Sequence, residues 1–163
     1  MPKRRKFETD KNYHIYNRGI YKQTLFHDKK DFQRFLWYID FYKEKCQNEV
    51  QLLWYCLLPN HFHFVLRSDS DGHKISYFIG NICAAYTRYY KLKYSTGKGK
   101  KFFEGRFKAK EINNSEYLQQ CLYYVENNPL KHGLVEKVED WIFRSVSSYP
   151  TEILENIDWK REF

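Results

Sequence analysis

The chain has no uncharged apolar run near the ~20 residues that a membrane-spanning helix needs. It also has no CxxC pair among its four cysteines, no internal repeat and no low-complexity linker. The first absence argues against a helical membrane protein. The second argues against a four-cysteine zinc site: Cys46, Cys56, Cys83 and Cys121 are scattered, and three lie inside apolar patterns, as reduced core thiols of a cytosolic protein do. The start, MPKRRKFETDKNYH, is basic with no apolar stretch behind the cluster. We therefore expect no secretory signal there and read 1–12 as a basic arm, either touching phosphates or solvated. Without repeats or linkers, 163 residues read as a single domain, 1–163, whose stretch 137–163 is a C-terminal extension packing on the core.

What is abundant is aromatic and positive. Fifteen Tyr and thirteen Phe contribute to a 20% aromatic share, and 28 Lys and Arg against 20 Asp and Glu leave a net charge of +8. That balance makes nucleic acid or an anionic membrane surface the leading partner.

NYHIYNRGI (12–20) reads as a strand ended by Gly19. DKKDFQRFLWYIDFYKEKC (28–46) reads as a helix with Asp28 as N-cap and Phe32, Phe35, Leu36, Ile39 and Tyr42 at helical spacing. VQLLWYCLL (50–58) and the segment 61–67 form a hairpin across the turn signal Pro59-Asn60. A second helix is predicted over about 74–93, a charged connector over 95–101, a last strand over 102–112 and a last helix over 115–129, stopped by Pro129. The order strand, helix, strand, strand, helix, strand, helix predicts an α+β fold: a ferredoxin-like split β-α-β antiparallel sheet with helices laid on it, plus an extra C-terminal helix and tail.

Within LLPNHFHFVLR (57–67), alternation sends His61 and His63 to one face and Phe62, Phe64 and Leu66 to the other. The bland reading is two polar residues on a half-exposed strand. The sharper one is a pair of metal ligands, because neutral imidazole is a common ligand. In the last helix Leu118, Cys121, Leu122 and Val125 mark a buried stripe. Tyr124 and Asn128 form an i, i+4 pair on one flank of it, and Tyr123 and Asn127 the same pair on the other. Either register can face the histidines. An amide one turn beyond a tyrosine can complete a nitrogen–oxygen metal shell begun by two imidazoles.

LLPNHFHFVLR resembles the histidine–hydrophobe–histidine motif of the single-tyrosine (HUH) transposases, and YVENNPLKHGLV (124–135) is similar to their nucleophile helix. The asparagine-proline ending and the glycine-leucine-valine after it resemble the REP-associated branch and its insertion-sequence relatives. YHIYNRG (13–19), FFEGRFK (102–108) and DWIFRSVSSY (140–149) resemble further segments of that family, in the same order. The resemblance implies a transposase-type endonuclease and strand transferase acting on single-stranded, hairpin-containing DNA through a 5′-phosphotyrosine. It selects Tyr124 as the nucleophile and His61, His63 and Asn128 as ligands of a divalent cation, Mg²⁺ or Mn²⁺. It implies a bacterial-type, cytoplasmic and nucleoid-associated protein, a homodimer in some relatives and a monomer in others.

Phosphate contacts are expected from Arg18, Lys98, Lys100, Lys101, Arg106, Lys108 and Lys110, the last two sharing a face. Tyr89, Tyr90 and Phe107 either stack unpaired bases or fill the core. His132 reads as a helix-end residue, and His14, His27 and His73 show no partner pattern. Two other functions compete: a non-catalytic single-stranded nucleic-acid binder on the same sheet, and a zinc-dependent regulator using His61, His63 and Cys56.

Overall fold

The computed structural model describes residues 5–69, 72–97 and 99–145. Four strands, β1 (Asn12–Arg18), β2 (Val50–Leu58), β3 (His61–Ser68) and β4 (Lys108–Ile112), form one antiparallel sheet in the order β2-β3-β1-β4. With α1 (Lys29–Lys45) after β1 and α2 (His73–Lys93) after β3, this is the expected split β-α-β arrangement. No helix among the described residues is long and apolar enough to cross a membrane.

Alternation decides the two faces. Tyr13, Ile15, Tyr55, Leu57, Phe62, Phe64 and Leu66 bury under α1 and α2, against Phe35, Phe78, Ile79, Ile82 and Tyr86. α1 starts where Asp28 accepts a hydrogen bond from the Asp31 amide, the N-cap read from the sequence. On the opposite face α3 (Ser115–Glu126) lays Cys121 and Val125, with Leu118 and Leu122 beside them, on Cys56, Leu58, Val65 and Ile112. All four cysteines are unpaired thiols, three of them buried.

Two boundaries differ markedly from expectation. The last strand covers 108–112 rather than 102–112, because Phe102 and Phe103 turn into the core and make no continuous ladder. Between them and β4 the Gly105 carbonyl accepts from Asn17 Nδ2, and Phe103 meets Gly19 in an isolated bridge. The last helix ends at Glu126 instead of running to 129. Pro129 lacks an N–H and its ring would crowd the carbonyl four residues back, so it stops α3 upstream of itself and sits in the first turn of a new helix, α4 (Asn128–Lys131).

The chain then returns along the β2 edge. The Leu57 amide donates to the Phe143 carbonyl and the Ser145 amide to the Tyr55 carbonyl, which covers strand groups otherwise left open. Residues 146–163, and with them the end of the DWIFRSVSSY segment, lie outside the described residues, as does Lys98. At the other end Arg5 donates to the Phe107 carbonyl and Phe7 packs on Tyr13 and Phe107, so the arm is docked from Arg5 onward.

Candidate active site

The face beneath α3 carries the chemistry. Register sets His63 opposite Tyr16 and His61 opposite Arg18 on β1, with Lys108 and Lys110 beyond on β4 opposite Tyr16 and His14. Arg18, His61, His63, Lys108, Tyr124, Lys131 and His132 help line one cavity of about 430 Å³.

α3 brings Tyr124 here. Its ring lies 5.7 Å from that of His63, edge to face, and the Lys131 ammonium sits 4.8 Å from its centroid. Tyr123, one residue earlier, is 70% exposed against 39% for Tyr124 and faces away. The register that the sequence left open is thus resolved by the apolar stripe, which turns the Tyr124 flank toward the imidazoles. Asn114 caps the helix start by accepting from the Tyr117 amide, and at the far end Glu126 pairs with buried Arg144 at 2.8 Å. A cation at a helix C-terminus also suits the dipole there.

Asn128 is completely buried next to His61. Its Nδ2 donates to the Tyr124 carbonyl at 3.0 Å, while its Oδ1 makes no hydrogen bond of ordinary geometry among the described residues, although the amide lies close enough to His61 to favour that ring's protonated form. An orphaned buried acceptor costs about 1–3 kcal/mol, which a bound cation would offset.

Both imidazoles are held through Nδ1. Asn60 directs its Nδ2 to the Lys22 carbonyl and its Oδ1 to His61 Nδ1, 2.6 Å away, so that nitrogen carries the proton and Nε2 keeps its lone pair. Lys22 and its neighbour Tyr21 adopt left-handed backbone, with φ of 59° and 52°. Gly19 permits the tight turn before them, since a Cβ there would come within 2.3 Å of the Gln23 carbonyl. His63 Nδ1 meets His14 Nε2 at 2.9 Å. Burial drives both ligand candidates toward the neutral form: His61 falls to about 4, helped by the charge of His132, and His63 lies well below its ordinary value, with His14 next among the causes. Two imidazoles held in the neutral form, each with Nε2 outside its Nδ1 hydrogen bond, and an amide oxygen beside them fit a divalent cation of the Mg²⁺ or Mn²⁺ kind. The zinc set is not assembled. Cys56 shares the His63 face but is buried under α3 with its thiol pushed up by burial, and no three His, Cys, Asp or Glu side chains converge on a metal position among the described residues.

The expected phosphate contacts separate into groups. Arg18 and Lys108 line the main cavity, Arg18 in an ion pair with Glu104 at 2.9 Å. Lys110 lines a neighbouring cavity on the other side of Tyr124. Lys100 and Lys101 belong with Lys91 and Tyr21 to a more distant groove, and Arg106 is exposed. The aromatic stacking candidates resolve toward the core: Tyr90 and Phe107 are buried, and Tyr89 donates to Asp31. Sequence reasoning missed His14 and understated His132. The latter is a helix-end residue, as expected, but its ring also stands 4.9 Å from His61. The usable signal for His14 was alternation in YHIY, which puts His14 and Tyr16 on one face.

Comparison with known proteins bears on the family of the chain. The family described as "Transposase IS200 like" matches residues 8–128. A Haemophilus influenzae protein provisionally named as a REP-associated tyrosine transposase is 27% identical over 112 residues, 64% of this chain and 64% of that protein. The chain thus spans just under two thirds of that relative. A solved REP-associated tyrosine transposase, bound to a REP hairpin, superposes with a TM-score of 0.72 over 88% of this chain and 81% of its own, at 20% identity, a likeness of fold. With the family match spanning most of its length, the chain belongs to the IS200-like transposase family.

Proposed function

We propose that the protein cleaves and rejoins single-stranded DNA next to a hairpin, with Tyr124 as the nucleophile and His61, His63 and Asn128 holding a divalent cation, Mg²⁺ or Mn²⁺. The observation that carries this reading is the convergence of Tyr124 with both imidazoles around one cavity, with the Asn128 amide buried behind His61. Family membership and the hairpin held by the structural relative support the substrate class. The cytoplasm, close to the nucleoid, is the compartment that suits such a substrate.

In the reaction the Tyr124 hydroxyl oxygen attacks the phosphorus of a phosphodiester. The oxygen–phosphorus bond forms as the bond from phosphorus to the 3′ oxygen breaks. The phenolic proton leaves and the departing 3′ oxygen takes one up. The downstream strand stays joined to Tyr124 through its 5′ phosphate. A 3′-hydroxyl attacking that link restores a phosphodiester and the phenol. The bound cation would set positive charge against the non-bridging oxygens where negative charge develops. Lys131, above the Tyr124 ring, and Arg18 and Lys108, at the cavity wall, add positive potential for the phosphate and orient the strand. α3, anchored through Glu126 and Arg144, holds the phenol in place so that attack needs little reorganisation.

The test is an oligonucleotide bearing a hairpin repeat from the neighbourhood of the protein's own gene, incubated with Mn²⁺ and resolved on a denaturing gel. We expect a covalent adduct with the wild type, none with Tyr124→Phe, and much of the activity retained by Tyr123→Phe. Binding without an adduct under either Mg²⁺ or Mn²⁺ would contradict the proposal and favour a non-catalytic binder.

A further inference from the structure

We propose that His14 is a positioning residue for the candidate metal site: its Nε2 accepts the Nδ1 proton of His63 and so presents the His63 Nε2 lone pair to the cation. The inference rests on the metal-dependent reading above, and it concerns a side chain that makes no contact with the cation.

Three observations carry it. The first is register. Tyr16 is the cross-strand partner of His63 and His14 that of Val65, so His14 is the diagonal neighbour of His63 on the same face. Long side chains reach one another across that diagonal. The second is the contact itself: a 2.9 Å approach of His14 Nε2 to His63 Nδ1, with the rings 5.1 Å apart and 23° from parallel. Both side chains are nearly inaccessible, at 9% and 5% exposure, so water competes poorly for either nitrogen. The third is the parallel with His61, whose Nδ1 is tied to Asn60 Oδ1, an acceptor that leaves one tautomer.

The His14–His63 pair, unlike the Asn60–His61 pair, can exist in two arrangements. In one, His63 donates from Nδ1 and its Nε2 lone pair is open. In the other, His14 donates from Nε2, His63 carries its proton on Nε2, and the ring cannot ligate a cation through that nitrogen. His14 Nε2 lies within hydrogen-bond distance of His63 Nδ1 and almost out of reach of water, so as the unprotonated nitrogen it can act as the acceptor. Partners of this kind typically change metal affinity by about 10–100-fold when removed.

Two measurements test the inference. Two-bond proton–nitrogen spectra of the metal-free wild type should show His63 protonated on Nδ1. Mn²⁺ affinity, measured by titration without DNA, should fall about 10–100-fold in His14→Phe and recover in large part in His14→Gln, whose amide oxygen can accept the same proton. The melting temperature of the metal-free protein should not follow this pattern of loss and recovery. His63 protonated on Nε2 in the wild type would overturn the inference without any variant. So would unchanged Mn²⁺ affinity in His14→Phe, or equal losses in both variants that track their melting temperatures. A wild type that binds no Mn²⁺ yet shows His63 protonated on Nδ1 would bring down the metal-dependent reading and leave the tautomer assignment standing.

Discussion

Two buried polar clusters lie on opposite sides of the sheet, and they are built in opposite ways. On the helical side Asp31, fully buried, receives hydrogen bonds from the His27 amide, the Tyr89 and Tyr94 hydroxyls and the Lys93 ammonium at 2.5–2.9 Å. Its oxygens are thoroughly satisfied, and the knot ties the start of α1 to the end of α2. Beneath α3 the polar groups satisfy one another only in part: each imidazole is anchored through Nδ1, by Asn60 or His14, while Asn128 Oδ1 makes no hydrogen bond of ordinary geometry among the described residues. A buried polar network that is complete serves stability. One that leaves acceptors open toward a single point forgoes stability there, and a ligand is the natural complement.

The contrast can be broken by mutation. We expect the largest effect from His61→Ala, which should lower the rate of strand cleavage by at least about 10²–10³-fold, the scale of one lost electrostatic contact to a transition state. Hairpin binding, measured by gel shift, should change little; equal loss of both would make His61 structural. Next comes Asp31→Ala, which removes the α1 knot and the buried one of the two carboxylates paired with Lys93, Asp28 remaining at 2.7 Å. A hydrogen bond to a charged group is worth about 1.5–3 kcal/mol, readable in urea unfolding. Asn128→Ala, which deletes an unsatisfied acceptor and one hydrogen bond, should cost about 1 kcal/mol or less. If the two variants were destabilised alike, the distinction between the clusters would fail.

Cation binding sharpens the same comparison. Mn²⁺ at a hundredfold excess over its dissociation constant should stabilise the wild type by about 2.7 kcal/mol. Calorimetry should show that gain lost in His61→Ala and kept in Asp31→Ala. The smallest effect is that of pH in the metal-free protein. His14 and His61 are lowered to about 4 and His63 well below its ordinary value, so between pH ~6.5 and ~4 the unfolded chain binds more protons than the folded one. Stability should therefore decline as pH falls through that window. Asp31 behaves differently. Burial pushes its carboxyl up, but the hydrogen bonds from Lys93, Tyr94, His27 and Tyr89 outweigh that and hold it low. Its contribution should persist until pH falls below the ordinary carboxylate range. Flat stability from pH 6.5 to 4 would contradict the depressed imidazoles.

Much of this was legible in the chain because the signals were local. The Asp28 cap, the period-2 alternation of 61–66 and the α3 stripe each involve neighbours in sequence, and each came out as read. What was not legible depends on contacts between distant segments. His14 acquires a partner through the register of β1 on β3, 49 residues away in sequence. Phe107 is covered by an N-terminal arm 102 residues earlier, which no pattern within FFEGRFK announces. The break at Asn127 follows from Pro129, a local signal that was read as an end although proline also suits the first turn of a helix. Residue spacing left Tyr123 and Tyr124 equivalent; the family resemblance selected Tyr124, and the docking of α3 on the sheet is what turns that side chain toward His63.

The most direct measurement is mass spectrometry on tryptic peptides from the protein–DNA adduct formed in Mn²⁺. We expect a 5′-phosphonucleotide on Tyr124 and unmodified Tyr123. A nucleotide on Tyr123 or on any other residue would contradict the assignment of this pocket as the site where strands are cut and joined.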